Sequence, residues 1–95
     1  GGLATAGKRP VVAIYSTFLQ RGYDQVFQEV ALQKESVVFA LDRAGLVGQD
    51  GPTHMGLYDI AYLRSFPGFT LCSPRDAADL DRMLNLAVNS KGPWA

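Results

Sequence analysis

Two apolar runs and one shorter, mixed run divide the chain: Val11-Val12-Ala13-Ile14-Tyr15, Val37-Val38-Phe39-Ala40-Leu41 and Phe69-Thr70-Leu71-Cys72. Their length, and the lack of alternating polar positions in the first two, predict strands, the first of them buried on both faces. Between the first two, Leu19, Tyr23, Val26, Phe27, Val30 and Ala31 recur at helical spacing, with Asp24, Gln25, Gln28 and Glu29 on the wet side. That predicts a helix to about Lys34, capped by Ser16 or Thr17. Gly22 interrupts it, costing ~1 kcal/mol against Ala. A short helix is expected over Leu57 to Arg64, then a turn at Pro67-Gly68. Ser73-Pro74-Arg75-Asp76 has the form of a capping box with Pro at the first helical position. The helix it opens should run to about Val88, with Leu80, Met83, Leu84, Ala87 and Val88 facing the core. At the start, Leu3, Ala4 and Ala6 favour a helix that Gly7 would cap.

The predicted order is helix, then strand and helix three times over. Such alternation with apolar strands implies an α/β fold, a parallel sheet flanked by helices. Three strands would leave raw edges, so further strands or a covering partner are expected. The opening helix tail, and Lys91-Gly92-Pro93-Trp94-Ala95 just after a helix terminator, fit one truncated domain over residues 1–95 of a larger protein.

Composition narrows the function. Of 95 residues, 47% are apolar, enough for a core, and nine basic residues balance nine acidic ones. A neutral chain gives no electrostatic case for nucleic acid or a membrane surface. No apolar run approaches the ~18 residues of a membrane-spanning helix. The single cysteine, Cys72, excludes an internal disulfide and suits a reducing compartment.

Ligands of open α/β sheets bind beyond the carboxyl ends of the strands. That rule selects Tyr15 to Phe18, the Asp42 to Gly56 segment, and Ser73. The middle segment, DRAGLVGQDGPTH after its strand, exceeds the usual βα connection of about two to six residues. Its glycines match neither G-x-G-x-x-G nor the P-loop. Asp42 and Asp50 could suggest a metal, but a turn explains them better. His54, the only histidine, is either a structural imidazole or a catalytic one. Arg43 either pairs with Asp42 or Asp50 or clamps an anion with its fork of donors. Tyr15 and Phe18 read most simply as core aromatics, Arg21 as a solvated helix residue and Cys72 as an inert thiol. Trp94 carries no argument. A lone histidine without an aimed nucleophile supports no catalytic triad, and no Cys/His metal cluster exists.

The same residues resemble a known family. The stretch Val11 to Gln25, the stretch Asp42 to His54, Tyr58-Asp59-Ile60-Ala61-Tyr62-Leu63-Arg64 and Ser73-Pro74 are similar to the 1-deoxy-D-xylulose-5-phosphate synthases, across nearly the whole chain. Lys34-Glu35-Ser36 departs from the more apolar turn usual there. The resemblance implies a transketolase-type pyrimidine-binding domain of the thiamine-diphosphate-binding fold. It implies a transferase that condenses pyruvate, with loss of CO2, onto glyceraldehyde 3-phosphate, feeding isoprenoid, thiamine and pyridoxal synthesis. By the same resemblance Phe18 stacks on the aminopyrimidine with Arg21 close by, Tyr15 and Arg43 hold the acceptor's phosphate, and Asp50 and His54 line the pocket around bound pyruvate. The family's activating glutamate, and the G-D-G motif and distant Asn that hold the diphosphate and Mg2+, are outside this chain; Gln49-Asp50-Gly51 is not that motif. The chain alone is therefore expected to be inactive, needing the remaining domains of a homodimeric parent in the bacterial cytoplasm or plastid stroma. The alternatives are a non-catalytic interaction module and another transketolase-like thiamine enzyme.

Overall fold

A computed structural model describes all of residues 1–95. A short helix, α1 (Gly2–Thr5), precedes strand β1 (Val11–Tyr15), and a helical crossover leads to β2 (Val38–Asp42). The crossover comprises α2 (Ser16–Leu19), a 3-10 turn at Gln20–Gly22, α3 (Tyr23–Gln25) and a π-helical stretch at Val26–Ala31. Two further helices follow, α4 (Asp59–Leu63) and α5 (Ala77–Asn89). The two strands pair in parallel, Val11 opposite Val38 and Tyr15 opposite Asp42. Parallel strands need a long crossover, and here the helical segment supplies it and covers one face.

Strand side chains alternate between faces, so one set meets the crossover. Val12, Ile14 and Leu41 pack there against Leu19, Val26, Val30, Ala31, Val37, Phe39, Leu63 and Phe66. Phe66 joins the layers, with ring centroids 5.0 Å from Tyr23, 5.7 Å from Phe27 and 6.0 Å from Phe69. Leu63 is the best buried large apolar residue; truncating such a side chain to Ala costs about 2–5 kcal/mol.

Three expectations need correction. First, β1 is not buried on both faces: Val11 is 45% exposed and Ala13 is exposed. The second face of the sheet looks across a cavity of about 420 Å3 at Leu80, Met83 and Leu84 of α5. The apolar stripe of α5 points where the periodicity put it, but only Ala87 is buried, so the layer is open.

Second, Phe69 to Cys72 is not an independent strand beside β2. Trp94 intervenes, bridging Val38 on one side and Thr70 on the other. Phe39 N–H donates to Trp94 O at 2.8 Å and Trp94 N–H to Val37 O at 2.9 Å. Thr70 N–H donates to Pro93 O at 3.0 Å, Ala95 N–H to Thr70 O at 2.9 Å and Cys72 N–H to Ala95 O at 2.8 Å. A residue that gave no sequence signal thus occupies an inner position of the sheet.

Third, the caps differ. The residue preceding α2 is Tyr15, which makes no side-chain cap bond; the Ser16 hydroxyl is turned elsewhere. The cap of α5 is Asp76, whose side chain accepts from Asp79 N–H at 2.8 Å. Ser73 and Pro74 lie before it, so Pro74 is not the first helical residue. At the other end, Gly7 does terminate α1, at a φ of 79° that favours glycine.

Candidate functional site

The carboxyl end of β1 delivers Tyr15, and the first turn of α2 brings Phe18 back onto it. Their rings stack at 5.0 Å with 9° between planes. The carboxyl end of β2 delivers Arg43, whose Cζ lies 4.9 Å from the Tyr15 ring centroid, a cation–π geometry. Arg43 also forms an ion pair with Asp50. Its guanidinium is held above the ordinary arginine pKa, chiefly by the hydrogen bond to Asp50. Only Nη1 is used in that bond, so Nε and Nη2 keep donors for an anion.

The loop then returns to the aromatic pair. His54 meets Phe18 edge to face, centroids 5.5 Å apart and planes at 84°. Its Nδ1 lies 2.8 Å from Thr53 Oγ1, and Nε2 makes no hydrogen bond. The return is fixed at a neck: Gly45 N–H donates to Gly56 O at 2.8 Å and Gly56 N–H to Gly45 O at 3.0 Å. Gly56 is needed here for space, since a Cβ would stand 2.6 Å from Ser16 Oγ and 2.8 Å from Ala44 Cα. Beneath the neck, Ser16 Oγ donates to Asp59 Oδ2 at 2.9 Å.

Five of the six residues singled out in the sequence therefore form one connected group: Tyr15, Phe18, Arg43, Asp50 and His54. Between the two readings of Arg43, the Asp50 pair exists and the free donors remain. Tyr15 and Phe18 are not core aromatics; Phe18 is 52% exposed. Arg21 lies on the 3-10 turn, exposed, and makes no ion pair or side-chain hydrogen bond. Asp42 serves the turn, its Oδ1 accepting from Arg43 N–H at 2.8 Å. No three acidic, histidine or cysteine side chains gather as a metal site. Sequence reasoning missed Ser16, Gly56 and Asp59. Ser16 and Asp59 stand 43 positions apart, and no local pattern signals such a pair.

A parallel α/β sheet with aromatic, guanidinium and imidazole groups at its strand ends has the layout of open α/β domains, which take their ligands there. The family described as "Transketolase, pyrimidine binding domain" matches residues 1–95, and the chain belongs to that family. More particularly, it is similar to the 1-deoxy-D-xylulose-5-phosphate synthase of Prochlorococcus marinus (strain MIT 9211), 61% identical over 94 residues, covering 99% of this chain and 15% of that protein. The 1-deoxy-D-xylulose-5-phosphate synthase 1 of Geobacter sulfurreducens is 62% identical over 94 residues, with the same coverage. A solved structure, "Split gene transketolase, inactive beta4 tetramer", aligns with a TM-score of 0.86 at 28% identity, covering 98% of this chain and 30% of that one. The chain thus spans about 15% of the length of the curated relatives it matches.

Proposed function

We propose that this chain is the pyrimidine-facing part of a 1-deoxy-D-xylulose-5-phosphate synthase. It would act in the thiamine-diphosphate-dependent condensation of pyruvate with glyceraldehyde 3-phosphate. The carrying observation is the connected group Tyr15–Phe18–His54 with Arg43 and Asp50 at the ends of β1 and β2. The identities of about 60% to synthases of that name support it.

The residues present fit the pyrimidine half of the cofactor. Phe18 has one ring face against Tyr15 and remains half exposed, so a flat heteroaromatic ring can stack on it. On this reading the diphosphate and Mg2+ are held by the remaining domains of the parent, a homodimer. Bound thiamine diphosphate supplies the carbanion chemistry, while the protein positions and polarises. Phe18 orients the pyrimidine. Arg43 and Tyr15 bind the acceptor's phosphate, the guanidinium through Nε and Nη2. Asp50 holds Arg43 in place and lines the pocket for pyruvate. His54 Nε2 exchanges a proton with the bound substrate or hydrogen-bonds its carboxylate. Arg21, one turn beyond Phe18, flanks the pyrimidine.

Reaction of the full-length protein with pyruvate and glyceraldehyde 3-phosphate tests this. Release of CO2 with formation of 1-deoxy-D-xylulose 5-phosphate is expected. Turnover of ketose donors without that product would assign the chain to another thiamine enzyme instead.

A further inference from the structure

We infer that Ser16, Gly56 and Asp59 form a positioning latch that sets the separation of the site's two walls and so governs capture of the phosphorylated acceptor. This rests on the acceptor-binding reading of Tyr15 and Arg43 given above. One wall is the Tyr15–Phe18 pair at the end of β1. The other is the loop carrying Arg43, Asp50 and His54. Sheet pairing sets Tyr15 opposite Asp42 at the loop's entry; beyond that the walls touch through two ring contacts, Arg43 over Tyr15 at 4.9 Å and His54 against Phe18 at 5.5 Å, neither of which is a rigid tie.

The rigid ties lie underneath. Ser16 is 0% and Asp59 4% exposed. A buried carboxylate needs hydrogen-bond partners to be tolerated. Asp59 has two: Ser16 Oγ at 2.9 Å on Oδ2 and Ile60 N–H at 2.8 Å on Oδ1. Ser16 follows Tyr15 directly and precedes Phe18 by two positions, so its bond anchors the aromatic wall. Asp59 opens α4 just beyond the loop, so the same bond anchors the loop's exit. Gly56 closes the gap between them, its Cα packed too tightly on Ser16 and Ala44 for any side chain. Its paired hydrogen bonds with Gly45 draw the loop's entry and exit together over Ser16. Displacement of any of the three moves Arg43 and His54 against Tyr15 and Phe18. None of the three belongs to the ring-and-ion-pair group itself, so their role is positioning.

The test uses the full-length protein with Ser16→Ala, Asp59→Leu, Asp59→Asn and Gly56→Ala. Ser16→Ala and Asp59→Leu should raise KM for glyceraldehyde 3-phosphate roughly tenfold, with kcat per cofactor-loaded site within about twofold, as a sub-ångström misplacement would. Asp59→Asn should restore near-normal KM, because the amide can donate to Ser16 Oγ while its carbonyl accepts from Ile60 N–H. Gly56→Ala forces the latch apart without deleting a bond and should match Ser16→Ala, which covers the case that a polar deletion fails to fold. Hydrogen exchange supplies a readout independent of turnover. Faster exchange confined to residues 43–56, with β1 and β2 unchanged, is expected. Unchanged KM and unchanged loop exchange, or a uniform rise in exchange across the domain, would overturn the latch. If the full-length protein does not use these substrates, the acceptor reading falls, and the exchange pattern alone decides the latch by the same criterion.

Discussion

Arg43 has a backbone φ of 51°, in the left-handed region, which costs a residue with a Cβ on the order of 1 kcal/mol or more. The bond from its N–H to Asp42 Oδ1 and the ion pair with Asp50 hold it there. The chain accepts that cost where the guanidinium must reach over Tyr15. In the full-length protein, Arg43→Ala should raise KM for the phosphorylated acceptor at least about tenfold, the loss of one charge-assisted contact. An unchanged KM would remove Arg43 from the phosphate clamp. His54→Ala should lower kcat by about 10^2-fold, the usual scale of a lost general acid or base; a wild-type rate would leave His54 as the edge-on neighbour of Phe18 and no more. Tyr62 presents a different kind of residue. Burial, with the charge of Asp59 adding, pushes its hydroxyl up to about 12. The folded state therefore holds this proton more tightly than an unfolded chain with a tyrosine near 10. Its contribution to stability is full below about pH 10 and is lost as pH rises toward about 12. Tyr62 should show tyrosinate absorbance only late in an alkaline titration, and Tyr62→Phe should delete that late step. A titration unaltered by the substitution would contradict the assignment.

At the scale of elements, periodicity found every helix, while caps and edges escaped it. Leu19, Val26, Val30 and Ala31 are buried as their spacing requires, while Tyr23 and Phe27 of the same predicted face stay exposed, and the crossover passes through 3-10 and π geometry. A cap is a choice between a local backbone partner and a distant one. Ser16 or Thr17 was expected to cap α2; neither does, and Ser16 serves Asp59 instead. Ser73 was expected to cap α5, but Asp76 does so. The two assignments are separable by experiment. Asp76→Ala should cost about 1 kcal/mol of unfolding free energy, the usual value of an N-cap. Ser73→Ala should stay within about 0.5 kcal/mol, as an ordinary surface change does. Denaturant midpoints of the two variants check this, and the reverse order would restore the Ser73 cap.

On the scale of the whole molecule, the sheet and its crossover bring Tyr15, Phe18, Arg43, Asp50 and His54 together at one end. No helix is long and apolar enough to cross a membrane. The isolated 95-residue chain should bind thiamine diphosphate weakly or not at all, because Phe18 supplies stacking for the pyrimidine while no three acidic, histidine or cysteine side chains gather for a cation. Calorimetry showing micromolar affinity would contradict this.

Local sequence determined β1, β2 and the helices, though not the fate of Phe69 to Cys72, and it singled out the loop whose Arg43, Asp50 and His54 gather with Tyr15 and Phe18. Runs without polar breaks and 3.6-residue spacing are properties of neighbouring residues, and burial acts on them directly. The strand-end rule then located Tyr15, Phe18, Arg43, Asp50 and His54, and the specific strings around them carried the family resemblance. Three features were decided only by tertiary structure. Trp94 entered the sheet between Val38 and Thr70 because exposed strand edges there offered unpaired amides and carbonyls, which no pattern in Lys91 to Ala95 announces. One sheet face stayed half open, because strand burial depends on what packs against it. Ser16, Gly56 and Asp59 met because the parallel crossover and the loop's neck bring distant segments to one point, where a buried carboxylate needs a donor and the backbone leaves no room for a side chain.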